Sequence, residues 1–149
     1  SNLTNQKISY AQFDEQNVAQ NKANGVPFET AMQDVEELFG LKMTGAADDK
    51  LVLTDYEIQR LRTAYELAMT DYDSDTYTQE QYVLYGTYDP FSVTVTHILN
   101  NKSGIDFTSY SHTGLPVAVF AQGEGAEAFG GYYDNTQIYE KLADLLRVR

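Results

Sequence analysis

Asn101-Lys102-Ser103-Gly104-Ile105-Asp106-Phe107-Thr108-Ser109-Tyr110-Ser111-His112-Thr113-Gly114-Leu115-Pro116-Val117-Ala118-Val119-Phe120-Ala121 is the stretch on which the reading of this chain turns. Gly104 is a natural helix stop. Ile105 to Ser109 and Val117 to Ala121 read as short strands, the second nearly continuous and apolar, as buried strands are. His112 falls on the loop between them. A histidine on a loop at strand ends is well placed to ligate a metal or to act as a base. Two short strands cannot bury their own edges, so the stretch is expected to need a sheet that lies elsewhere.

Upstream of this stretch the signals are helical. Asp89-Pro90 is a cap followed by a proline suited to the first helical position, and it argues for a helix through the β-branched run Val93-Thr94-Val95-Thr96. Thr78-x-x-Gln81, Thr54-x-x-Glu57 and Ser9-x-x-Gln12 all have capping-box spacing. They predict a short helix towards Tyr85, a helix carrying Ile58, Leu61, Tyr65 and Ala68, and a helix from about Tyr10 to Lys22. Between Pro27 and Gly40, the residues Phe28, Ala31, Met32, Val35, Leu38 and Phe39 fall on one stripe. Downstream, Asn135-Thr136 opens a last helix with Ile138, Leu142, Leu145 and Leu146 on one side. The change of composition near Gly86 divides the chain into a mainly helical region, 1–86, and a second region, 87–149.

The 149 residues suit one domain or part of a larger one, and 42% hydrophobic residues can build a core. Mean hydropathy is −0.44, and no run of about 18 apolar residues occurs, so no membrane span is expected. With 10 basic and 22 acidic residues the net charge is −12. Such a surface repels a phosphate backbone, which argues against nucleic-acid binding. No cysteine is present, which excludes disulfides, thiolate zinc sites and a cysteine nucleophile. The start reads as an excision, with Ser1-Asn2 as a cloning remnant and no signal peptide in view.

Several motifs weaken on inspection. Asp71-x-Asp73-x-Asp75 begins like a calcium loop, but Thr76 and Tyr82 stand where the turn glycine and the bidentate glutamate belong. Gly123-Glu124-Gly125-Ala126-Glu127-Ala128 fits a dinucleotide-loop pattern, yet its two carboxylates oppose a pyrophosphate and no second βαβ half follows. His97 sits mid-helix, where a lone histidine is usually packed or on the surface. There is no G-x-S-x-G elbow, P-loop or H-E-x-x-H.

Taken in order, the motifs resemble the C-terminal region of bacterial alkaline phosphatases. Gly104-Ile105-x-Phe107-Thr108 leads into His112-Thr113-Gly114 and then Pro116-Val117-Ala118-Val119-Phe120-Ala121. Gly123-Glu124-Gly125-Ala126-Glu127-Ala128-Phe129 and Asp134-Asn135-Thr136-Gln137-Ile138 follow in the family's order. The ordered resemblance runs from about Tyr85 to Ala143. Gln6 to Met69 is similar to the variable insert that some members carry.

The resemblance implies a phosphomonoesterase with two zinc ions and one magnesium ion, in which a serine attacks phosphorus. It makes His112 a ligand of one zinc, and the substrate a phosphate monoester. It also implies a periplasmic or extracellular parent, with a homodimer as one oligomeric option. The implied fold is mixed α/β and helix-rich: a C-terminal piece of an alkaline-phosphatase-like α/β sandwich, with too few strands for a complete sheet by itself.

The chain departs from the family pattern as informatively as it agrees. It has two histidines in total, no Asp-Ser-Ala nucleophile segment and no ordered set of further ligands. Those parts are expected before Ser1, and the chain alone is expected to be inactive and to hold neither zinc nor magnesium. Two other classes stand beside this reading. One is a non-catalytic acidic binding module retaining a phosphatase-like remnant; the other is a calcium-responsive module using Asp71, Asp73 and Asp75.

Overall fold

The computed structural model describes residues 2–46, 48–107, 110 and 116–148. The chain packs as two compact units, Ser1–Tyr110 and Ser111–Arg149. The first opens with a 3-10 turn at Asn2–Asn5. Helix α1 (Tyr10–Phe13) continues through a π-helical segment, Asp14–Val18, into α2 (Ala19–Asn24). Then come α3 (Phe28–Phe39), α4 (Asp55–Ala68), a 3-10 turn at Ser74–Thr76, α5 (Gln79–Tyr85) and α6 (Pro90–Lys102).

Local chemistry starts these helices where the spacing predicts. The Thr54 hydroxyl accepts the Glu57 amide at 3.2 Å, and the Glu57 carboxylate accepts the Thr54 amide at 2.8 Å. Thr78 with Gln81 and Ser9 with Gln12 close the same reciprocal box. Pro27 stands one place outside its expected position, as the N-cap of α3. Gly25 and Gly40 end α2 and α3 in the left-handed conformation.

Helix α6 is the axis of the first unit. It buries Pro90, Phe91, Ser92, Val93, Thr94, Val95, Ile98 and Leu99, and a helix buried on most sides belongs at the centre of its packing. It packs along α4 and also meets α1, α3 and α5. Phe91 stands edge-on to Tyr65 at 4.8 Å between ring centroids, and Phe13 edge-on to Phe39 at 4.9 Å.

The β-branched run stays helical for reasons that can be named. The Asp89 carboxylate accepts the Ser92 amide at 2.7 Å, and Pro90 occupies the first turn. Thr94 and Thr96 fold their hydroxyls back on the carbonyls of Pro90 and Ser92, at 2.7 and 2.6 Å. Burial therefore leaves those hydroxyls hydrogen-bonded. At the far end Lys102 meets Glu57 at 2.8 Å and the Val52 carbonyl at 3.0 Å.

In the second unit a 3-10 turn at Ala126–Phe129 precedes α7 (Gln137–Leu146). Asp134 accepts the Thr136 amide at 2.9 Å and its hydroxyl at 2.8 Å, which shapes the turn leading into α7. Lys141 donates to the Ala128 carbonyl at 2.7 Å and lies 4.4 Å from the Tyr133 ring centroid, tying α7 to the 3-10 turn.

The helix-rich part of the expected fold is present, and the β part needs correction. Among the described residues the one β pairing is an isolated parallel bridge, Lys42 with Val52. Ile105 to Phe107 and Val117 to Ala121 form no strand. Val117 and Phe120 are 78% and 93% exposed, against the burial expected of them. A strand forms when its amides and carbonyls find a ladder partner, and none is offered among the described residues. Thr108 and Ser109, the rest of the first expected strand, lie outside them. Packing also groups α6 with the helices before it, whereas the composition change near Gly86 separates them by sequence character.

Candidate functional site

His112 and its neighbours Thr113 and Gly114 lie outside the described residues. What the structure supplies is the scaffold that leads to them. Helix α6 ends at Ser103, whose amide bonds back to Leu99 and Asn100 at 3.1 and 2.9 Å. The Ile105 amide then returns to the Asn100 carbonyl at 3.0 Å. By Tyr110 the chain is back beside the residues that precede α6.

Tyr110 is held there from several directions. Its phenol donates to the Val83 carbonyl at 2.7 Å, and its own carbonyl accepts the Tyr88 phenol at 2.7 Å. Its ring lies 5.7 Å from that of His97, 6.0 Å from Tyr88 and 6.5 Å from Tyr82. The ring also covers Gly86, where an added Cβ would stand 2.7 Å from Tyr110 Cγ. Gly86 has φ +61° and ψ −129°, a backbone state that favours glycine. Position 86 is therefore restricted both by its backbone and by the ring above it.

His97 belongs to this aromatic group, its ring 5.7 Å from that of Tyr110. Burial, and then the Arg60 charge, hold its imidazole below the usual histidine pKa. Arg60 lines a cavity of about 220 Å³ with Gln59, Thr63, Glu80, Tyr85 and Thr94.

A second concavity, of about 500 Å³, is lined by Asp14, Lys22, Tyr72, Asp73, Ser74 and Asp89, among others. Asp89 is buried and accepts the Tyr72 phenol at 3.2 Å besides capping α6. Burial, and then the Asp89 charge, raise the Asp14 carboxyl above its ordinary range. The same two causes push Tyr77 up to about 12. Three carboxylates, from Asp14, Asp73 and Asp89, and the Lys22 ammonium line this cleft, and the Asp89 carboxylate is committed to capping α6.

Two of the three acids in the calcium-loop-like run make local contacts. Asp71 pairs with Lys22 at 3.2 Å, and Asp73 accepts the Asp75 amide at 3.0 Å to cap the turn Ser74–Thr76. The glycine loop is structural as well: Gly125 has φ +83°, and a Cβ there would collide with the Leu145 side chain.

A protein zinc site takes three or four N, O or S ligands. Among the described residues no group of three or more His, Cys, Asp or Glu side chains could hold a metal ion. The described residues do not by themselves fit the zinc or magnesium that the motif resemblance implies. The aromatic group around Tyr110 escaped the sequence reading, because its members come from α5, from the turn at Gly86 and from α6. The Tyr82, Tyr85, Tyr88 and Tyr110 series is its only trace in the sequence.

Among the described residues no helix is long and apolar enough to cross a membrane. No curated protein matches the chain, and no solved structure does. A family model described as alkaline phosphatase matches residues 15–148. That match runs through the helical first unit as well as the motif-bearing second one, and so the chain belongs to the alkaline phosphatase family.

Proposed function

We propose that this chain is the C-terminal part of a bacterial alkaline phosphatase that hydrolyses phosphate monoesters, and that His112 supplies one zinc ligand to it. The observation that carries this reading is the ordered run of motifs from Gly104 to Ile138, inside a family match over residues 15–148. The parent holds two zinc ions and one magnesium ion, uses a serine nucleophile, and works in the periplasm or outside the cell. Residues 1–86 are insert-like, and 87–149 are the returning core segment, with Val117 to Ala121 as a strand of the parent's α/β sandwich. The exposure of Val117 and Phe120 in this chain supports that last assignment, since apolar side chains of this size gain by burial against a partner.

The chain by itself is chemically incomplete. It contains no Asp-Ser-Ala segment and two histidines in all, and a single imidazole gains little chelate help in holding zinc. The purified chain, supplied with zinc and magnesium, should therefore not hydrolyse a chromogenic phosphomonoester above the buffer rate; steady turnover would overturn the reading. In an enzyme containing this segment, His112→Ala should lower zinc content, measured by elemental analysis, together with turnover. Unchanged metal and full activity would show that another histidine is the ligand.

A further inference from the structure

We infer that the cavity between α4 and α5 is a binding site for a neutral hexopyranose, a single six-membered sugar ring, with Tyr56 as its stacking platform. Tyr56, Gln59, Arg60 and Thr63 recur three and four residues apart, so one stripe of α4 carries them all. They line the cavity of about 220 Å³ together with Glu80 and Tyr85 of α5 and Thr94 of α6. That volume lies below the about 300–1,000 Å³ of drug-sized sites, and suits one small ring. Every residue involved belongs to the first unit, so the site stands apart from the reading of His112.

The chemistry of the lining selects the ligand class. Tyr56 is 73% exposed, with the Arg60 guanidinium 5.9 Å from its ring centroid. An aromatic ring left open beside polar groups presents an apolar face with a wet edge, which the C–H face of a sugar matches. Tyr85 is the reverse case. It is 6% exposed, and among the described residues its phenol has no hydrogen-bond partner. A polar group so nearly buried needs a partner, and the cavity that Tyr85 lines is where a ligand hydroxyl can supply one.

Arg60 and Glu80 bring opposite charges to the same cavity. The ion pairs of the described residues join Lys22 to Asp71, Lys42 to Asp49, Arg62 to Glu29 and Lys102 to Glu57, and include neither of them. Burial raises the Tyr85 phenol pKa, the Arg60 charge lowers it and the Glu80 charge raises it, so both charges reach that hydroxyl. A lone anion would meet Glu80 and a net charge of −12, and a lone cation would meet Arg60. Uncharged hydroxyls, which both donate and accept, satisfy a guanidinium and a carboxylate together. Gln59 donates to the Thr63 hydroxyl at 3.4 Å, and Thr94 to the Pro90 carbonyl at 2.7 Å. Each keeps an oxygen able to accept from the ligand.

The test is a titration of the isotope-labelled 149-residue chain with methyl β-glucopyranoside and with methyl α-mannopyranoside, followed by amide chemical shifts. Saturable shifts confined to residues 56–63, 80–85 and 94, with a millimolar midpoint, are expected of so small a ligand. Tyr56→Ala should weaken binding about tenfold, and Tyr56→Phe should retain it. Tyr85→Phe, which loses one hydroxyl, should weaken it about threefold, and Arg60→Gln about tenfold. The glycoside titration of the unaltered chain decides the matter should a variant not fold. Acetate, inorganic phosphate and glycine at the same concentrations should leave these residues unshifted. No saturable shift with either glycoside overturns the site, as does equal binding by a folded Tyr56→Ala chain. Saturation by a charged probe with neither glycoside bound overturns it too, and assigns the cavity to charge recognition.

Discussion

The two units use apolar residues in opposite ways. In the first, Phe13, Ala31, Val35, Phe39, Leu41, Leu61, Phe91, Val95 and Leu99 are excluded from solvent around one central helix. In the second, Ala143 is the buried apolar residue among those described, while Val117, Phe120, Tyr132, Tyr139 and Leu146 are exposed. Several helices can surround α6 and bury its sides together. Among the described residues of the second unit there is one helix, of ten residues, and an unpaired apolar run, and a helix of that length gains little stability by itself. The difference teaches that the apolar core and most of the ordered motifs lie in different parts of this molecule. The helical unit supplies the core, and the other holds the motifs from His112 onward.

Four substitutions would break or sharpen that contrast. Phe91→Ala removes a ring that contacts Phe13 and Tyr65 at the centre of the first unit, and should cost about 3–5 kcal/mol in denaturant unfolding. A loss below about 1 kcal/mol would mean that α6 is not the axis.

Lys102→Ala leaves the mostly buried Glu57 carboxylate without its cation, and should cost about 2 kcal/mol at neutral pH. Burial raises the Glu57 pKa, but the Lys102 hydrogen bond, the Thr54 amide and the Lys102 charge outweigh it and leave the group below its ordinary value. A depressed folded pKa stabilises above the unfolded value of about 4.3. That contribution is lost as pH falls through the folded pKa. The difference between the parent sequence and Lys102→Ala should therefore shrink below about pH 4; a constant gap across that range would exclude the ion pair as its source.

Thr54→Ala opens the capping box of α4 and should lower stability by about 1 kcal/mol, read as a drop in the unfolding midpoint at unchanged slope. Phe120→Ser, on a side chain 93% exposed, should stay within about 0.5 kcal/mol in this chain. A large destabilisation there would show that the second unit has a core of its own. If the strand assignment proposed for the parent is right, the same change in the longer enzyme should be severe.

Much of the first unit was legible because its signals are local. Ser9, Thr54 and Thr78 carry their own capping partners three residues on, and Asp89-Pro90 outweighed the β propensity of Val93 to Thr96. The π-helical segment at Asp14–Val18 left no such mark, because one extra residue per turn changes no cap and hardly alters the periodicity. The strand expectation for Val117 to Ala121 failed in this chain for the complementary reason. Apolarity states that a segment wants burial, and says nothing of whether a partner is present to provide it.

The candidate site divides in the same manner. His112, with the ordered motifs around it, was readable as a resemblance because sequence order alone carries it. The family match over residues 15–148 agrees with the family read from that order. The seat of Tyr110 was not readable, since it joins Val83, Gly86, Tyr88 and His97 across two helices and a turn. By itself the sequence determined where helices start, the acidic charge, the absence of cysteine chemistry and the family, all of which are properties of neighbouring residues or of their order. Only the tertiary structure decided that α6 would be the buried axis, that Leu145 would close over Gly125, and that Tyr110 would return to Gly86. Those outcomes depend on which surfaces distant segments bring together, and burial and close packing are energies of the assembled surfaces rather than of any one stretch of chain.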